Sequence, residues 1–109
     1  MTNRTRGDYH ERQTKARLMT HEWLVVRSAG SLGVADLVAL RSDRRPWLVS
    51  CKINGYMRPV ELRALWAAAS WAGADPIIAS RPKAGLIRFQ QLLTAPTPGS
   101  RPDMTEAVP

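Results

Sequence analysis

An α/β domain built on a mixed sheet is what this 109-residue sequence predicts, and three observations carry that prediction. First, two apolar, β-branched runs, 34–40 and 47–52, are separated by six residues, five of them polar or charged. That connection is long enough for an antiparallel hairpin and too short for a crossover helix. Second, an alanine-rich amphipathic segment at 59–72 lies between the second of these runs and another at 76–79. Strand, helix, strand is the pattern of a parallel pair joined by a crossover. Third, the length suits one domain, and 44% hydrophobic residues are enough to build a core.

Residues 1–7 are polar and basic and read as a flexible N-terminus. A helix is expected over 8–19, with Tyr9, Ala16 and Met19 inward. Asp8 would cap it or sit in its first turn, and Glu11 would pair with Lys15 four residues on. The first strand is expected at 23–27, where aromatic and β-branched residues dominate. A loop of small residues follows at 28–33, with Gly30 and Gly33 permitting close backbone approach to a ligand. In the third strand, alternation places Leu48, Ser50 and Lys52 on one face and Trp47, Val49 and Cys51 on the other.

Asn54-Gly55 marks the loop that follows, and Pro59 opens a helix. Leu62, Leu65, Trp66 and Ala69 form its apolar stripe, open to core or dimer packing, and Gly73 ends it. A fourth strand at 76–79 and a fifth at 85–89 complete a five-stranded sheet flanked by helices. The folded domain is thus expected over 8–93. Residues 94–109 are proline-rich and aperiodic and read as a flexible tail.

Sixteen Lys and Arg stand against nine Asp and Glu, a formal charge of +7, which points to a polyanionic partner such as DNA or RNA. A single cysteine, Cys51, excludes an intramolecular disulfide and a cysteine metal cluster. Two histidines, His10 and His21, do not make a classical zinc site. No apolar run is long enough to span a bilayer, and the first residues do not form a secretory signal, so a cytoplasmic setting is expected. A P-loop is set aside: the run from Gly30 to Gly33 lacks its Gly-Lys-Ser/Thr ending and precedes a strand.

Four positions carry candidate chemistry: Glu11, Asp36, Ser50 and Lys52. Asp36 is an acid in an otherwise apolar strand, which costs free energy unless it is used or satisfied. It suits a hard cation such as Mg²⁺, or Mn²⁺ in its place. A lysine nearby can stabilise charge at a phosphate. Buried Cys51 is expected to be a small apolar filler, and His10 to be solvated or near phosphate.

The ordered succession of Glu11, the loop after Arg27, Asp36, Ser50-Cys51-Lys52 and Pro59-Val60-Glu61-Leu62 resembles the archaeal-type Holliday junction resolvases of the PD-(D/E)xK nuclease superfamily. The small size also resembles phage-encoded versions. The resemblance implies a restriction-endonuclease-like fold and a metal-dependent nuclease that cuts four-way DNA junctions as a homodimer, with flaps or other replication intermediates as alternative substrates. It implies Asp36 and Glu11 as metal ligands, Lys52 as the catalytic lysine, and Ser28 or Ser31 beside the scissile phosphate. Arg27 would touch the DNA backbone. Arg12, Lys15 and Arg58 are further candidate phosphate contacts by charge and position.

Ser50 departs from the pattern, since the family usually has an acid there. Three outcomes stand open. Ser50 holds a water of the ion while Asp36, Glu11 and the Cys51 carbonyl do the rest; or Glu61 supplies the acid; or the chain binds DNA without cutting it.

Overall fold

The computed structural model describes residues 3–28 and 34–109, with side chains from Arg6 onward. In chain order it contains α1 (Asn3–Thr20), β1 (Leu24–Arg27), β2 (Leu37–Arg41), β3 (Arg44–Cys51), α2 (Pro59–Ala72), β4 (Asp75–Lys83), β5 (Leu86–Leu92) and β6 (Met104–Glu106). The strands form one sheet in the order β1-β2-β3-β4-β5-β6. β3 and β4 pair in parallel, and every other neighbouring pair is antiparallel. The α2 crossover makes the parallel pair possible.

β3 is covered on both faces. Trp47 and Val49 pack with Leu18 of α1 in one core cluster, and Cys51 lies against it. Leu48 packs with Leu62, Leu65 and Trp66 of α2 in the other. Trp47 lies between Trp23 and Phe89, with ring centroids 4.7 and 5.6 Å away. The Arg44 guanidinium covers the Trp23 and Trp47 rings, 5.3 and 5.4 Å from their centroids.

α2 occupies the residues expected of it. Pro59 fits its first turn, Glu61 accepts the Arg58 N–H at 3.2 Å, and Gly73 closes it in the left-handed region at φ 66°. Adjacent Ala74 donates its N–H to the Ala69 carbonyl at 2.9 Å, satisfying a carbonyl of the last turn.

α1 differs from expectation. Tyr9, Ala16 and Met19 are exposed, and the buried stripe is His10, Thr14 and Leu18. Periodicity of apolar residues misses this stripe because two of its three members are polar. Thr14 Oγ1 donates to the His10 carbonyl at 2.8 Å, and His10 Nε2 donates to the Ala79 carbonyl at 3.0 Å, while the buried His10 Nδ1 has no partner among the described residues. His10 is therefore neither solvated nor placed to meet phosphate. The helix also begins at Asn3, within the segment expected to be flexible, so Asp8 lies inside it and does not cap it.

The sheet has six strands, not five. β6 comes from the proline-rich segment that reads as a tail, and it pairs with β5 through Gln90↔Glu106, Gln91↔Thr105 and Leu92↔Met104. Hydrogen bonds from the Leu93 N–H to the Asp103 carbonyl (2.7 Å) and from the Ala107 N–H to the Phe89 carbonyl (2.9 Å) extend this contact. Prolines conceal the strand because they fill the connection before it, while the three paired residues are too few to show alternation. No helix among the described residues is long and apolar enough to cross a membrane.

Removing residues 94–109 should lower the unfolding free energy by about 2–3 kcal/mol, from two or three lost backbone hydrogen bonds at ~1 kcal/mol each. An unchanged urea midpoint in the truncated chain would show that β6 contributes nothing to stability.

Candidate active site

Asp36 precedes the first residue of β2, where that strand begins to pair with β3. Its N–H donates to the Val49 carbonyl and its carbonyl accepts the Ser28 N–H, both at 2.9 Å. Its side chain then reaches across: Oδ2 accepts the Cys51 N–H at 2.7 Å. An unmet buried N–H costs about 1–3 kcal/mol, so the carboxylate stabilises β3 at the point where β2 leaves it. The same bond fixes one carboxylate oxygen and leaves the second for another partner. Lys52 follows directly, and its own N–H donates to the Ala79 carbonyl at 2.9 Å.

On the α1 side, Arg27 pairs with Asp8 and, through Nε, with Glu11 Oε1 at 3.1 Å. Glu11 was expected to meet Lys15. The Arg27 guanidinium attracts it instead, and Asp8 and Glu11, three apart on the helix, present their carboxylates to one partner. The Cys51 thiol beneath them is held far above its ordinary pKa, first by burial, then by the Asp36 carboxylate, with Glu11 adding to the effect. It stays protonated at neutral pH, so it cannot act as a thiolate nucleophile.

On the α2 side, Lys52 Nζ donates to Glu61 Oε2 at 2.7 Å. Glu61 Oε1 accepts from Arg58 Nε at 3.1 Å as well as from the Arg58 N–H. The carboxylate is held well below its usual range, at about 2, by Lys52 first and by Arg58. Ser50 points to this face of the sheet and is buried at 4% exposure. A carboxylate buried there would need its own compensating partners, whereas a hydroxyl is cheaper to bury.

The fold thus brings Asp36 to the β3 backbone, Lys52 to Glu61, and Glu11 to Arg27. It sets Glu11 and Ser50 on opposite faces of the sheet. Ser28 is joined to Asp36 through its backbone, while Ser31 lies outside the described residues. Arg12 is exposed and Lys15 half-buried. Sequence reasoning overlooked the Asp8–Arg27 contact and a stacking of Arg81 on Tyr9, whose guanidinium lies 5.1 Å from the ring centroid. Asp8 and Glu11 on one helical face were a signal for the first. The second joins residues 72 apart and has no local signature.

The donor set bears on a divalent metal. Among the described residues no group of three His, Cys, Asp or Glu is arranged to hold one. Glu11 and Glu61 are engaged by basic groups. Asp36, with one oxygen free of the Cys51 bond, fits a hard cation held by one carboxylate and otherwise hydrated, as Mg²⁺ commonly is.

Two helices on a mixed sheet, with an aspartate beside a central strand and a lysine just past that strand's end, define the class: the restriction-endonuclease-like nuclease fold. Residues 2–99 match the family described as archaeal Holliday junction resolvase (hjc), and the chain belongs to that family. Among solved structures it is similar to Hjc of Archaeoglobus fulgidus, described as a Holliday junction resolvase from an archaeal hyperthermophile. The TM-score is 0.67 at 23% identity, covering 77% of this chain and 70% of that one. No curated protein sequence matches the chain.

The depressed Glu61 pKa sets a pH dependence. A carboxylate with a folded pKa of about 2 against an ordinary 4.5 contributes stability above the ordinary value and loses it as pH falls towards 2. The wild-type urea midpoint should therefore drop between about pH 4.5 and 2. Glu61→Gln should show a smaller drop over that window, and equal drops would show that the Lys52 and Arg58 contacts do not stabilise the fold.

Proposed function

We propose that the chain is a metal-dependent, structure-specific endodeoxyribonuclease that cuts four-way DNA junctions. The observation that carries this is the Asp36 carboxylate bound to the Cys51 N–H at 2.7 Å, one residue before Lys52. An anionic oxygen anchored to a rigid central strand, with a lysine next in sequence, supports this reading, since phosphodiester hydrolysis uses a metal-holding acid and a cation.

Asp36 would hold Mg²⁺ or Mn²⁺, with the Cys51 carbonyl and Ser50 as lesser oxygen donors. Bound there, the ion supplies charge neutralisation at the scissile phosphate and lowers the pKa of an attacking water. Lys52 stabilises the negative charge that develops on the phosphate, and Glu61 fixes its ammonium in place. Glu61 is thereby a positioning residue, although it was considered as a direct ligand. Glu11 holds Arg27 beside the site, from where the guanidinium would meet phosphate. Ser28 or Ser31 would contribute a hydroxyl near the reacting phosphate, while Arg12, Lys15 and Arg58 would position the DNA backbone without reading bases.

A homodimer fits paired cuts on two strands. α2 packs on β3 and β4, leaving the β1–β2 half of that sheet face open. Leu24, Val26 and Leu40 there are 66%, 53% and 38% exposed. The outer face of α2 adds Val60 and a 91% exposed Trp71. Large apolar side chains gathered on one side suit a second copy of the chain.

Two measurements test these readings. With Mg²⁺ or Mn²⁺, the protein should cut a labelled junction symmetrically and leave the matched linear duplex intact. Asp36→Asn keeps an acceptor for the Cys51 N–H but loses the charge, and should cut at least ~100-fold more slowly, as should Lys52→Ala. Tight junction binding without cutting by the wild type would favour the DNA-binding reading, with Ser50 the cause. In solution, Val26→Glu should shift a dimer to monomer by light scattering; a wild type that is already monomeric would remove the dimer proposal.

A further inference from the structure

On the flank of α1 away from Glu11, a cavity of about 320 Å³ opens between the helix and the β4–β5 hairpin. Tyr9, Gln13, Arg17 and Thr20 line it from α1, and Arg81 and Ile87 from the sheet. Its charged lining consists of two arginines. Neither is in an ion pair among the described residues, whereas Arg27 and Arg58 beside the site are. The Arg81 guanidinium stacks on Tyr9, which holds it at the cavity wall.

This wall adjoins the chemistry. The Arg81 N–H donates to the Ile53 carbonyl at 2.9 Å, and Ile53 follows Lys52. Paired strands lie about 4.8 Å apart, so the backbone of Arg81 is one strand spacing from the segment that carries the lysine. Successive phosphates of a DNA strand advance by about 3.4 Å along the helix axis. A DNA strand crossing this end of the sheet would pass both Lys52 and the α1 flank that carries the cavity.

We propose that the cavity is a phosphate subsite for the bound junction, outside the cutting site itself; this rests on the nuclease reading of Asp36 and Lys52. Guanidinium groups pair with phosphate through forked hydrogen bonds, and the Gln13 amide adds a neutral donor at the rim. Tyr9 is a positioning residue that presents Arg81. The subsite would fix where the strand lies without selecting sequence.

The salt dependence of junction binding tests this. A labelled four-way junction is titrated by fluorescence anisotropy between about 50 and 200 mM salt, using the Asp36→Asn chain so that cutting does not interfere. Each phosphate contact contributes about −0.9 to the slope of log affinity against log salt. Arg17→Gln with Arg81→Gln should make the slope shallower by about 1–2. Tyr9→Ala should reproduce part of that change and Tyr9→Phe none of it. Arg45→Gln, in an exposed pair with Asp75, should leave the slope unchanged. If the Arg17/Arg81 variant keeps the parent slope, the subsite is overturned and the nuclease reading stands. If the parent chain binds no junction, the nuclease reading falls and the subsite with it.

Discussion

β3 pairs in parallel with β4, and a parallel pair cannot be closed by a tight turn. The chain must leave β3 at Cys51, cross one face of the sheet as α2, and return beside β3. That constraint orders the rest of the molecule. It puts α2 over Leu48 and Ser50, leaving the opposite face to α1. It sets the first turn of α2 close to the end of β3, so that Glu61 meets Lys52. It also leaves the N–H of Cys51 to be taken by Asp36, because β2 begins to separate there.

Around this strand end every well-placed acid already has a partner. Asp36 accepts from the backbone, Glu11 and Asp8 hold Arg27, and Glu61 holds Lys52 and Arg58. Such pairing organises the side chains without much net stabilisation, since partly exposed ion pairs contribute little each. Its larger effect is on geometry and charge. Lys52 is held in place by Glu61, and Glu61 remains ionised far below neutral pH. The buried Ser50 fits the same economy: the negative charge near Lys52 comes from the helix, where solvent reaches it, and the strand is spared a buried carboxylate.

Much of this was legible in the residues. The crossover followed from an alanine-rich helix between two apolar runs, and its ends from Pro59 and Gly73. The importance of Asp36 followed from an acid set in an apolar run. The inward face of α1 was not legible, because His10 and Thr14 are polar and become core residues only through a hydrogen bond to Ala79 and another within the helix. β6 was hidden because a short edge strand derives its structure from its neighbour more than from its own sequence.

By itself the sequence determined the hairpin, the helix that joins two parallel strands, the faces of β3 and the basic character of the chain. Each of these depends on local periodicity, turn chemistry or composition, which a linear string contains. Tertiary structure alone decided which acid meets which base. Arg27 took Glu11 from Lys15, Glu61 went to Lys52, and Arg81 came to rest on Tyr9. Charged side chains are long and pair with whatever the fold brings near, so their partners depend on distances in space that sequence separation does not encode.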